Sequence, residues 1–119
     1  MIKFKSLNKS SQFLNILKKR KLDTKYYTLF FDKNSRDKKN NNILNISFVM
    51  KKKIGNAVIR NKIKRKLKSA VQKILSDKKK VDMNCTYVIF GKNNVYKDKF
   101  EFVLNEMSNT FLKIKKFNN

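Results

Sequence analysis

The chain has 119 residues, of which 31 are Lys or Arg and 8 are Asp or Glu, giving a net charge of +23. Its length suits one domain with a core, and a 40% hydrophobic content with ten Phe and four Tyr excludes a disordered basic tail. The absence of histidine and the single cysteine, Cys85, exclude a His-based acid–base centre, a Cys–His nucleophile and an internal disulfide.

In chain order, Ser10 or Ser11 can cap a short helix whose Phe13, Ile16 and Leu17 fall at i, i+3, i+4 spacing. YYTLFFD (26–32) reads as an aromatic-rich strand, with Thr28 and Phe30 on one face and Tyr27, Leu29 and Phe31 on the other. The segment 33–42 is a polar and mobile loop, and ILNISFVM (43–50) alternates as a second strand. Gly55-Asn56 interrupts the pattern before a long helix that ends near Leu75. SDKKKVDMN is a loop, TYVIF (86–90) a buried strand that takes Cys85 inside with it, and Gly91 to Val95 a turn. A last helix from about Lys97 to Lys115 carries Phe100, Val103, Leu104, Met107, Phe111 and Ile114 as an apolar stripe, which is core packing. Three clear strand runs and three helices give an α+β domain spanning 1–119, a sheet with helices packed on it.

Charge of one sign that cannot be neutralised internally calls for a polyanion, nucleic acid first and an anionic membrane surface second. Compositional drift toward Lys, Asn and Ile explains Lys in place of Arg but not the shortage of acids. The N-terminal residues hold no apolar run of signal-peptide length, and no stretch approaches the ~20 residues of a membrane span. Together with the lone cysteine these point to the cytoplasm.

The charge concentrates in KKKIGNAVIRNKIKRKLKSAVQ (51–72), which contains no acid. At ~100° per residue, Ile59, Ile63, Leu67, Ala70, Val71 and Ile74 share one sector of the helix. Arg60 and Lys64 border that sector, and Asn61, Arg65 and Lys68 lie across from it. Like charges at i and i+4 (Arg60/Lys64, Lys64/Lys68) destabilise an isolated helix by a few tenths of a kcal/mol per pair, and a polyanion reverses that sign. Gly55 permits unusual backbone, and Asn56 can cap the helix start beside Lys52, Lys53 and Arg60, where free N–H groups favour phosphate.

KKIGNAVIRNKIKRKLKSA closely resembles the signature of the protein subunit of bacterial ribonuclease P: a basic pair, a short loop, Arg-Asn-Arg, then Lys-Arg on a long helix. The third position of Arg-Asn-Arg is Lys62 here, which keeps the charge but loses the bidentate grip of arginine. The family's first helix bears two aromatics one turn apart, where this chain has Phe13 and then Leu17, and its first strand looks like Tyr27-Thr28-Leu29-Phe30. A glycine expected after the first helix is replaced by KKRKLD, and the family fold counts four strands, α-β-β-(β)-α-β-α.

The resemblance implies a protein that assists a catalytic RNA in removing the 5′ leader of precursor tRNA. On that reading Lys52, Lys53, Asn56, Arg60, Asn61, Lys62, Lys64, Arg65 and Lys68 hold the catalytic RNA, and Phe13, Leu17 and Phe30 contact the single-stranded leader. Phe13 and Leu17 can equally be ordinary core. The resemblance also implies that divalent metal (Mg) accompanies the RNA partner; the eight scattered acids suggest no site for it in the protein. Other readings are a different basic RNA-binding protein such as a ribosomal one, a membrane-surface protein and a self-sufficient nuclease, the last opposed by the residue inventory.

Overall fold

Burial alternates residue by residue where the aromatic strand was expected: Tyr27, Leu29 and Phe31 are enclosed, while Thr28, Phe30 and Asp32 are partly open. The computed structural model, which describes residues 2–34, 42–77 and 80–118, places this strand, β3 (Tyr27–Lys33), within a five-stranded sheet. The elements in chain order are β1 (Lys3–Lys5), α1 (Ser10–Ile16), β2 (Arg20–Asp23), β3, β4 (Ile43–Val49), α2 (Ala57–Ile74), β5 (Cys85–Gly91), α3 (Asn94–Lys97) and α4 (Phe100–Asn118). A 3₁₀ turn, Lys52–Ile54, precedes α2. The sheet order is β1-β4-β5-β3-β2; β1–β4 and β4–β5 are parallel, β5–β3 and β3–β2 antiparallel. Helix α2 is the crossover that makes the β4–β5 pair parallel.

The core lies between one sheet face and the helices α2 and α4. It joins Tyr27, Leu29, Phe31, Leu44, Ile46, Tyr87 and Ile89 to Ile63, Leu67, Ala70, Val71 and Ile74 of α2 and Val103, Met107, Phe111 and Ile114 of α4. Both helical stripes pack as their periodicity predicts. Two phenols end in this layer with partners: Tyr27 shares a 2.6 Å hydrogen bond with Thr110 Oγ1, and Tyr87 donates to the Asp82 carbonyl at 2.6 Å. Burial pushes both phenols above the ordinary tyrosine range. Cys85 is fully buried.

Four boundaries differ from the sequence reading. The clear runs number three, but β1 and β2 add two short strands, and β2 is formed by part of the KKRKLD segment. Both extra strands lie at sheet edges, where charged residues discourage further pairing. Neither Ser10 nor Ser11 caps α1; the N-cap position is Lys9, and no side chain closes it. The last helix starts at Phe100 instead of Lys97, after extended backbone at Asp98, and the short helix α3 takes up part of the expected Gly91–Val95 turn. Of the loop expected at 33–42, Lys33 belongs to β3, and 35–41 lie outside the described residues.

Candidate nucleic-acid interface

The start of α2 follows from two residues. Gly55 adopts φ 159° and ψ −171°, a region almost reserved for glycine. Asn56 then caps the helix, its Oδ1 accepting from the Ile59 amide at 3.0 Å. Because this turn is fixed, the cations on either side of it take defined directions.

Along α2, Asn61, Lys62, Lys64, Arg65 and Lys68 are exposed, and no acid occurs in the helix. Arg60 is half-buried at the border of the apolar sector, and its Nε is enclosed with no hydrogen-bond partner among the described residues. Lys68 Nζ lies over the Phe4 ring at 5.9 Å, which carries the basic surface toward β1. Lys66 departs from its neighbours: its ammonium donates to the backbone oxygen of Asp98 and fastens α2 to the α3–α4 junction.

Among the described residues the other sheet face carries the short helix α1 and the segment leading into it, whose Leu7 amide donates to Ser47 Oγ at 3.0 Å, and a cleft opens there. Leu17, Lys21, Thr28, Phe30, Lys51, Lys53, Ile54, Phe90, Lys92 and Asn93 contribute to its walls. The sequence-predicted Leu17 and Phe30 line it, and Phe13 reaches the same cluster from α1, its ring 6.1 Å from that of Phe90. Phe30 meets Phe90 edge-on at 5.6 Å, and Lys51 Nζ lies 5.4 Å over the Phe90 ring. All four apolar side chains are partly exposed and stand apart from the main core. Phe90, the centre of the cluster, was missed because TYVIF reads as a buried run. Alternation along β5 puts Phe90 on the same face as Thr86 and Val88, opposite Thr28 of β3, and was the available signal.

Lys53 was expected on the α2 surface, but it lines the cleft together with Lys51, whereas Lys52 and Asn56 are exposed at the turn between the two surfaces. Lys92, also missed, bridges across the cleft end: its ammonium meets Asp23 Oδ1 and the Thr24 carbonyl, both at 2.7 Å. Hydrogen bonds from Lys92 and Thr28 hold the Asp23 carboxyl below its usual range. Asp98 is held low by the Tyr26 phenol at 2.7 Å and by Lys25 at 3.1 Å, and the same bond pushes Tyr26 up to about 12. These two acids therefore pair with cations of the sheet end, Lys92 and Lys25, and not with the exposed cations of α2. Among the described residues no three His, Cys, Asp or Glu side chains gather as a metal site.

A family model described as Ribonuclease P matches residues 1–115. The chain belongs to the ribonuclease P family. It is thus a protein subunit of the ribonuclease P ribonucleoprotein, an endoribonuclease of tRNA processing, and its partner is RNA. Among similar proteins, the ribonuclease P protein component of Carboxydothermus hydrogenoformans is 28% identical over 108 residues, 90% of this chain and 88% of that protein. The ribonuclease P protein from Thermotoga maritima superposes with a TM-score of 0.72 at 23% identity, covering 92% of this chain and 96% of that one. The Staphylococcus aureus ribonuclease P protein gives 0.62 at 20% identity over 96% and 97%. These structural likenesses place the α+β fold within that of ribonuclease P proteins.

Proposed function

We propose that the two surfaces divide the work of ribonuclease P between its RNAs. The exposed cations of α2, with Lys52 and Asn56 at its head, grip phosphates of the catalytic RNA. The cleft holds the unpaired 5′ leader of precursor tRNA against Phe13, Leu17, Phe30 and Phe90. One observation carries this reading: the turn before α2 supplies both surfaces, so that Lys51 and Lys53 line an aromatic cleft whose outer rim continues into an acid-free cationic helix. Stacking suits unpaired bases of any sequence, because every base has a π-face.

Bond cleavage falls to the RNA and the divalent metal that accompanies it, and the protein supplies binding and orientation. Its side chains contain no histidine for proton transfer. The apolar sector of α2 is consumed by the core, leaving no face for lipid, and no helix among the described residues is long and apolar enough to cross a membrane. The holoenzyme acts in the cytoplasm, where precursor tRNA is made.

The test is reconstitution with the cognate catalytic RNA at low magnesium. Phe30→Ala and Phe90→Ala are expected to weaken binding of leader-bearing precursor by roughly 5-fold or more per lost stack while sparing mature tRNA. Equal loss for both RNAs would return these rings to a purely structural role. Precursor cleavage indifferent to the protein would favour another RNA-binding role, such as a ribosomal one.

A further inference from the structure

Of the four tyrosines, Tyr26, Tyr27 and Tyr87 are at most 5% exposed, whereas Tyr96 on α3 is 46% exposed. Its surroundings are specific. Lys62 Nζ, from the third position of the Arg-Asn-Lys triplet, stands 5.9 Å from the Tyr96 ring centroid, and Lys97 and Lys99 beside it are exposed. The short helix that carries the ring is also held firmly. Val95 below it is fully buried, the Asn94 side-chain amide donates to the Lys25 carbonyl at 3.0 Å, and Lys66 fastens the far end through Asp98. Three and four residues earlier, Asn93 and Lys92 line the aromatic cleft. The β5–α4 connection thus contributes to the cleft at one end and presents a rigid aromatic face beside the α2 cations at the other.

We infer that Tyr96 is a stacking platform for one unpaired nucleobase, whose neighbouring phosphate is taken by Lys62. This rests on the reading of α2 as an RNA surface and adds to it a base contact at the boundary between the two RNA sites. The chemistry favours a base over other occupants. The ring is rigid, so little freedom is lost on stacking, and the flanking cations select an anionic ligand. The Lys62 ammonium stands over the ring, and the 46% exposure of Tyr96 leaves surface for a planar partner. The base can come from the catalytic RNA or from the precursor, and both would present the same face and phosphate.

The chain has no tryptophan, so its ultraviolet emission comes from tyrosine, and acrylamide reaches Tyr96 far more readily than the three enclosed phenols. The holoenzyme is assembled first with catalytic RNA alone and then with precursor tRNA. Comparison with Tyr96→Phe isolates the Tyr96 signal. Loss of acrylamide access on the first addition assigns the base to the catalytic RNA, and loss only on the second assigns it to the precursor. Either result supports the platform when Tyr96→Leu weakens that same step roughly 5-fold or more, Tyr96→Phe leaves it within 2-fold, and the salt dependence of Tyr96→Leu is unchanged. Lys62→Ala, by contrast, should reduce the salt slope by about one. If Tyr96 stays open to acrylamide in the loaded holoenzyme, or Leu serves as well as Phe, the platform is refuted while the cationic surface of α2 stands. A salt slope near zero for the unaltered protein would instead overturn the underlying RNA-binding reading.

Discussion

The double variant Lys64→Gln/Arg65→Gln separates an RNA-binding surface from a merely solvated one by moving affinity and stability in different directions. Lys66 is committed to Asp98 and Lys53 faces the cleft, so Lys52, Arg60, Lys62, Lys64, Arg65 and Lys68 remain to meet phosphate. They wrap more than half of the helix circumference at ~100° per residue, and a single RNA surface engages about five of them. At ~0.7–0.9 per neutralised phosphate, the log–log dependence of affinity on salt is about −4. Raising salt from about 50 to 200 mM then lowers affinity roughly 250-fold. Removing two cations brings the slope to about −2.4 and the same loss to roughly 30-fold. Lys64 and Arg65 are the right pair because neither makes a hydrogen bond or ion pair among the described residues, whereas Lys68 rests over Phe4. Losing Lys64 also relieves its like-charge contacts with Arg60 and Lys68, each worth about 0.2–0.5 kcal/mol. The free variant should therefore be as stable as the parent in denaturant unfolding, or up to about 1 kcal/mol more so. Filter binding to the catalytic RNA across a salt series reads the slope. An unaltered slope, or a fold weakened by more than about 1 kcal/mol, would refute the assignment of these charges to RNA.

Two further predictions concern the scaffold. A Cβ on Gly91 would lie 2.5 Å from Met50 Sδ and 2.9 Å from the buried Ile63 Cγ2, so Gly91→Ala should cost about 1–3 kcal/mol in unfolding experiments; adding Met50→Ala should be less than additive, and strict additivity would rule out this clash. The lowered carboxyls of Asp23 and Asp98 contribute stability in full above the ordinary aspartate value of 3.8, lost as pH falls from there through their folded values. Asp98→Asn should accordingly flatten the acid limb of thermal stability, and an unchanged limb would count against the Tyr26–Asp98–Lys25 contact.

What could be read from the sequence depended on how local its cause was. The long helix was legible because one 18-residue segment states everything needed: a 3.6-residue apolar period, a capping Asn56 and a polar face with no acid. The α4 stripe was legible for the same reason. The edge strands were not, because short, mostly charged segments acquire strand geometry only from their pairing partners, as when Lys3–Lys5 aligns with the distant Ile43–Asn45 and Arg20–Asp23 with Thr28–Phe31. Lys66 shows the limit for the site. In sequence it is one more lysine in a basic run, outside the residues that the resemblance matched, and nothing local foretells that its ammonium is taken by the distant carbonyl of Asp98. Phe90 shows the converse: its own segment looks buried, and it becomes the centre of the cleft because register sets it diagonal to Phe30 and under Phe13.

On the proposed division of work, the sheet is what lets so small a chain serve two RNAs. Helices α2 and α4 cover one face completely, and that burial holds α2 rigidly enough to present its cations. The other face is covered, among the described residues, by the seven-residue α1 and the segment before it, so aromatic side chains that would be core in a fully layered domain remain within reach of solvent. The chain crosses between the two faces at Lys51–Asn56 and again at Gly91–Lys97. At the first crossing lie the glycine and the cap, and at the second a glycine with no room for a Cβ and a firmly held short helix. Under the proposed function these constraints have a consequence: a shift in either turn would misalign the cleft with the cationic face, and a leader held in one could no longer be delivered to an RNA held by the other.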